Sequence, residues 1–272
     1  MRDLRIALLL IVGACGPGTR DPGNGGPDGG GSAIDAPGGG GDGGDGTMVY
    51  VYAHTASTLY RVDPDTLAIQ MVGPFVWPSG SDQMTDIAID KTGTMIGVSF
   101  TSVYKVDPTN AHATLLSGSL SGTFNGLSFV PAAMLGQTGD DVLVGTRNAD
   151  GAVFRIDPTT GAATQVGNMG AYMSSGDLVA VDGFGTVQTI TGSTNDRLAR
   201  LAPQTFAATP IGTDTGFGQI WGVAFWKNKV YGFTDNGAFV LIDPNTGAAT
   251  LVTNNGQAWW GAAVTTLAPV IQ

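Results

Sequence analysis

Glutamate is absent from this chain; all 22 acidic side chains are aspartate. Cysteine occurs once, histidine twice, and charged residues make up only 12% of 272 positions. A lone cysteine excludes a disulfide within the chain, so any folded domain must hold by packing and hydrogen bonds. Only 12 basic residues stand against the aspartates, giving a net charge of −10, and they are scattered along the sequence. Nucleic acid is therefore not an expected partner, because phosphate recognition needs a basic stripe. Adhesion to anionic lipid through charge is excluded on the same ground. Long helices are missing too. The 43 glycines suit short strands and tight turns instead.

No apolar run is long enough to span a bilayer. The longest near the start, Ile6 to Val12, covers seven residues behind Arg2 and Arg5, which fits a signal peptide over 1–14. It ends in Val12-Gly13-Ala14-Cys15, which resembles the lipobox cut by the lipoprotein signal peptidase. The resemblance implies acylation of Cys15, and two or three acyl chains give an anchor that one cannot. Gly16 follows, where an aspartate would resemble an inner-membrane retention signal, so the expected address is the cell envelope at the outer membrane. Residues 15–47, with Cys15 at their head, read as a flexible Gly/Asp tether. Asp42 and Asp45 lack the ligand spacing of a calcium loop.

Over 48–272 one phrase recurs: Leu59-Tyr-Arg-Val-Asp-Pro64, Val103-Tyr-Lys-Val-Asp-Pro108, Val153-Phe-Arg-Ile-Asp-Pro158, Leu198-Ala-Arg-Leu-Ala-Pro203 and Phe239-Val-Leu-Ile-Asp-Pro244. The prolines lie 44, 50, 45 and 41 residues apart, the period of a four-stranded propeller blade. Aspartate and proline together set up a turn, so Asp63, Asp107, Asp157 and Asp243 are expected to be turn residues, and Ala202 stands in the same place before Pro203. Small apolar strands begin near Asp86, Gly126, Leu178, Gly222 and Gly261 and suit the crowded axis. The domain opens on a second strand at Val49 and ends on an unpaired innermost strand at Gly261. The expectation is all-β: five blades of four strands, with the C-terminal strand completing blade 1 and leaving no open edge. The pattern resembles bacterial propellers with Asp-Pro-x-Thr-Gly hairpins, in the style of the NHL and YVTN repeat proteins. That resemblance implies architecture and no particular activity.

Five-bladed propellers include glycosidases similar in plan to arabinanases, which need two carboxylates flanking the scissile bond. Asp86 and Asp177, on blades 2 and 4, are the candidates, so a carbohydrate-active hydrolase is the alternative reading. His54 and His112 fall at opposite ends of strands, roughly 17–20 Å apart, which gives neither a catalytic triad nor a metal site. No cofactor or metal is expected. The between-blade loops differ from one another, so five equivalent sugar sites are not expected, but one composite site is. Its candidates are Phe75, Trp77, Tyr172, Phe217 and Trp259 for apolar contact, with Asp86, Asn125, Asp177 and Gln219 for polar contact. The favoured function is a displayed binding or scaffold lipoprotein, a monomer held to the membrane by its lipid, that recognises an envelope protein or glycan. Labelled palmitate is expected to enter the wild-type chain and not Cys15→Ser; equal labelling of both would remove the anchor.

Overall fold

The computed structural model describes residues 50–147 and 149–271. The signal peptide, Cys15, the tether and the first two residues expected in the domain lie outside them. Twenty strands, numbered in chain order, form five antiparallel sheets of four. The innermost strands are β4 (Asp86–Ile89), β8 (Gly126–Val130), β12 (Ser174–Val181), β16 (Ile220–Trp226) and β20 (Gly261–Ala263). The second strands are β1 (Val51–His54), β5 (Met95–Val98), β9 (Val142–Thr146), β13 (Gly185–Ile190) and β17 (Lys229–Thr234). Outside them lie β2 (Thr58–Val62), β6 (Val103–Val106), β10 (Ala152–Ile156), β14 (Arg197–Leu201) and β18 (Ala238–Ile242). The rim is β3 (Ile69–Pro74), β7 (Ala113–Ser117), β11 (Ala163–Asn168), β15 (Ala208–Pro210) and β19 (Ala249–Asn254).

Each innermost strand packs on the next, β4 to β8, β12, β16, β20 and back to β4, so the sheets close a ring as a five-bladed propeller. Blade 1 is completed by the last strand, with Tyr52 opposite Ala263, Ala53 opposite Ala262 and His54 opposite Gly261. β1 runs from Val51 to His54, two residues later than the sequence pattern suggested. The innermost strands are small because they are crowded: every residue of β4, β8 and β20 is buried, whereas the rim strand β7 exposes Leu115 and Leu116.

The Asp-Pro turns form as local chemistry demands. Asp63, Asp107, Asp157 and Asp243 each accept a backbone N–H two residues ahead at 2.8–2.9 Å. The turn closes at a left-handed residue four positions after the aspartate, and only Gly161 and Gly247 are glycine there. Leu67, Ala111 and Phe206 take the same conformation at φ 59–60°, so glycine is not what the turn requires. At Gly161 and Gly247 the reason is contact: a Cβ would press on Ser119 O at 2.8 Å or Ile211 O at 2.5 Å.

Those contacts belong to the preceding blade, and they recur. Val76, in the loop after blade 1, exchanges backbone hydrogen bonds with Ala111 and Ala113 at the Asp-Pro turn of blade 2. Ser121 donates to Gly161 O in blade 3, and Asn168 to Thr205 O in blade 4. Between blades 5 and 1, Tyr231 Oη donates to Pro64 O at 3.1 Å. The repeated turn is thus an inter-blade clamp, which local turn chemistry does not reveal.

Two further devices tie blade 1 to the rest. Trp259, fully buried, meets Phe233 of blade 5 edge-on at 5.5 Å and Tyr60 of blade 1 at 5.0 Å. Beyond β20 the chain then crosses the ends of the other innermost strands. Thr265 Oγ1 donates to Asp90 O in blade 2, and Thr266 Oγ1 to the Asp141 carboxylate in blade 3. Asp182 N of blade 4 donates to Thr266 O, and Lys227 N of blade 5 to Pro269 O. Trp259→Ala is expected to cost about 3–5 kcal/mol in urea unfolding, the range for truncating a buried tryptophan. Deleting 258–272 should lower the melting temperature further and expose the β1 edge; a truncated chain that stays monomeric and melts like the wild type contradicts this closure.

Candidate functional site

Five innermost strands converge where they begin, and the first aligned positions are Asp86, Gly126, Asp177, Gly222 and Gly261. Backbones approach so closely there that a Cβ on Gly222 would overlap Gly261 and Ala262, and one on Gly126 would overlap Thr146 Oγ1. A Cβ on Gly261 would strike the Asp86 carboxyl and His54 Nε2. Only blades 2 and 4 carry side chains at this level, and both are aspartates at zero exposure.

Their oxygens take up strand-start N–H groups that have no partner within a blade. Asp177 Oδ1 accepts from Leu178 N at 2.6 Å and from Leu127 N of blade 3 at 3.2 Å; Oδ2 accepts from Val223 N of blade 5 at 2.8 Å. Asp86 Oδ1 accepts from Ile87 N at 2.8 Å. Asp86 Oδ2 has no hydrogen-bond donor among the described residues, and the carboxyl that acts on it is that of Asp177. Two bare carboxylates would repel in this dry place. Burial first, and then the Asp177 charge, push Asp86 well above the usual carboxylate range. Burial likewise raises Asp177 to about 8 despite its N–H donors. The pair therefore holds a proton at neutral pH, which gives Asp86 Oδ2 a hydrogen to donate to Asp177.

His54, at the end of β1, completes the cluster. Its Nδ1 lies 2.9 Å from Thr55 O, so the ring donates there and leaves Nε2 bare, 3.7 Å from Asp86 Oδ1. Burial lowers its pKa to about 4, keeping it neutral. Among the described residues no group of three or more His, Cys or Asp side chains is arranged to hold a metal ion.

The nine candidate contact residues separate into two sets. Asp86, Asp177, Trp259 and Phe75 are buried: the aspartates form the axial plug, Trp259 is core, and Phe75 packs edge-on to His54 at 5.9 Å. These four are structural groups with no surface to offer a ligand. Trp77, Tyr172, Asn125 and Phe217 are partly exposed and Gln219 is exposed, but they do not form one patch. Trp77 lies between Phe75 and Tyr104, whereas Tyr172 packs on the core between blades 3 and 4. His112 is exposed in the blade 2 turn and apart from His54, as the strand reading implied.

Trp221, Trp260 and Phe100 are not among the contact residues expected from the sequence, where Trp260 is expected to be buried alongside Trp259; it is half-buried instead. Trp221 and Trp260 directly precede Gly222 and Gly261, one position above the axial plug, and their rings meet at 6.5 Å with planes at 77°. Phe100, 49% exposed, meets Trp260 at 6.4 Å in the same way. The signal was available: in the aligned innermost strands the residue before the Asp/Gly position sits at the mouth, and blades 5 and 1 place tryptophan there. Surface clefts of about 310–430 Å³ lie elsewhere, beside the Asp-Pro turns and rim strands of blades 2 and 3.

A scan against protein families finds no match, and neither does a search of curated proteins. Among solved structures the chain is similar to one in a nidogen/laminin complex, at 8% identity and a TM-score of 0.53, over 80% of this chain and 98% of that one. At that identity the likeness shows the fold alone, and 513 solved chains match, so the architecture is too widely used to indicate a function.

The axial proton makes a pH test direct. Between about pH 6.5 and 8, folded His54 is neutral and the unfolded imidazole is at most half protonated, while the carboxyl pair keeps protons that the unfolded chain has lost. Stability contributed by the protonated pair must therefore fall as pH rises through that window. Below it, His54 opposes the trend, because protonation of the unfolded imidazole favours unfolding as pH drops from 6.5 toward 4. The melting temperature is expected to decline from pH 6.5 to 8 in the wild type. In Asp86→Asn the amide supplies the donor at every pH, and the decline should shrink; identical slopes would show that the pair carries no shared proton.

Proposed function

We propose that this chain is an envelope-displayed binding module: acylated at Cys15, it presents the mouth where its innermost strands begin to an external or periplasmic partner. The observation that carries this reading is strand direction. β1 starts at Val51, next to the tether, and runs toward that mouth, ending at His54 beside the axial plug. The chain segment that leads to the anchor therefore joins at the other end of blade 1. The C-terminal segment also occupies that other end, crossing four blades by way of Asp90, Asp141, Asp182 and Lys227. What remains near the axis is the mouth, with Phe100 exposed and Trp221 and Trp260 half-buried.

The similar solved chain belongs to a nidogen/laminin complex, an assembly of proteins, which agrees with a binding role. The hydrolase alternative asks Asp86 and Asp177 to reach a sugar. Both are at zero exposure, and three of their four oxygens accept backbone N–H groups.

A photoreactive residue at Gln219, exposed beside the mouth, is expected to cross-link envelope material in intact cells. One at Leu267, 60% exposed on the C-terminal segment, should not. Cross-links formed from Leu267 alone would reverse the orientation.

A further inference from the structure

The mouth is built from one residue per blade: Trp260, Thr85, Asn125, Gly176 and Trp221, each directly before the aligned Asp or Gly of its innermost strand. In ring order the two tryptophans are neighbours, on blades 1 and 5. The other three positions, on blades 2, 3 and 4, are polar or glycine. Phe100, in the β5–β6 loop of blade 2, extends the aromatic side on the far flank of Trp260. The three rings meet in two edge-to-face contacts, both with planes 77° apart, so their surfaces stand as walls at right angles and not as one flat stack. None of these rings is in the buried core, and among the described residues neither indole N–H makes a hydrogen bond to the protein. Free donors thus stand beside apolar faces.

Across from the tryptophans, the Asn125 side chain is partly exposed and also without a protein partner, whereas the Thr85 hydroxyl is spent on Val98 O. Gly176 is buried against Ile220 O and the Trp221 backbone, where a Cβ would overlap both, so that position adds no side chain to the mouth. No position of the mouth carries a charge. Beneath it lies the axial pair, fully buried and sharing a proton, and not an accessible anion.

We infer that this mouth is a saccharide site, one that takes a neutral sugar ring against Trp221 and Trp260 with hydroxyls toward Asn125 and the free indole N–H groups. The inference rests on the binding-module reading and names its ligand class. A pyranose ring has an apolar C–H face and a polar edge, which matches an aromatic corner set opposite an uncharged polar side. Uronic, sulfated or phosphorylated glycans are disfavoured for want of any cation in the mouth and by the net charge of −10. A protein partner would more naturally use a wide flat patch of standard size than a single corner at the axis. Tryptophan is the side chain most often found to dominate such compact sites.

The test is a titration of the full chain, followed by tryptophan fluorescence and calorimetry. The probes are neutral oligosaccharides of glucose, mannose, galactose, xylose and N-acetylglucosamine, with oligogalacturonate as the anionic control. At least one neutral probe should bind and the uronate should not. Trp221→Ala and Trp260→Ala should each weaken that binding about 30-fold, the scale of a hot-spot truncation. Trp260→Phe should keep part of it, and Asn125→Ala should weaken it less, all at unchanged melting temperature. If a tryptophan truncation lowers the melting temperature, Trp260→Phe and Asn125→Ala decide the matter, since neither opens the core. Binding that survives both tryptophan truncations, or no binding by any neutral probe, overturns the saccharide assignment. In the second case, cross-links from Gln219 to an envelope protein would leave the binding module standing with a different ligand, and their absence would remove both.

Discussion

The closeness of five backbones where the innermost strands begin is the constraint from which the rest of this propeller follows. Glycine at 126, 222 and 261 is a steric demand, since a Cβ at each would overlap a neighbouring strand or side chain. Convergence leaves strand-start N–H groups of several blades pointing at the axis with no ladder partner. An unpaired buried N–H costs free energy comparable to a lost hydrogen bond. Two aspartates meet that demand for four of the five blades or their neighbours, and a shared proton removes the repulsion between them. A side chain that looks catalytic by type is here the piece that lets the ring close.

Closure without disulfides also needs contacts at the rim, and these come from a turn used twice. The Asp-Pro turns fold locally through their aspartates, and those of blades 2 and 3 then receive the loop of the preceding blade, as Val76 pairs with Ala111 and Ser121 with Gly161. Blade 4 departs from the rule: Ala202 replaces the aspartate, the rim strand β15 has three residues, and the bulge between third and fourth strands seen in the other four blades is missing. Even so, Phe206 N bonds back to Ala202 O and Thr205 O still accepts from Asn168. The clamp is thus carried by backbone, while the aspartate adds local order.

Strand number, blade count and the completion of blade 1 by β20 were legible in the sequence because proline and glycine punctuate at a blade period and because the chain starts and stops out of phase with it. The plug was legible only in part. Asp86 and Asp177 could be placed at the axis, but zero exposure depends on the glycines of three other blades, a relation between strands far apart in sequence. The same gap separates Trp259 from Trp260. Adjacent in sequence and just before β20, one fills the seam between blades 5 and 1 and the other stands at the mouth, a facing that only the packing of neighbouring blades decides. The clamp was invisible because it joins the end of one blade to the opposite turn of the next.

The central claim is that a carboxyl pair holding a proton at neutral pH closes the ring. Infrared difference spectroscopy reads it directly, since a protonated carboxyl has a C=O stretch distinct from that of a carboxylate. At pH 7 the wild type should show a protonated-carboxyl band that titrates near or above about 8 and is lost in Asp86→Asn. A wild-type spectrum with no such band at pH 7, in a chain that is fully folded, would contradict the account.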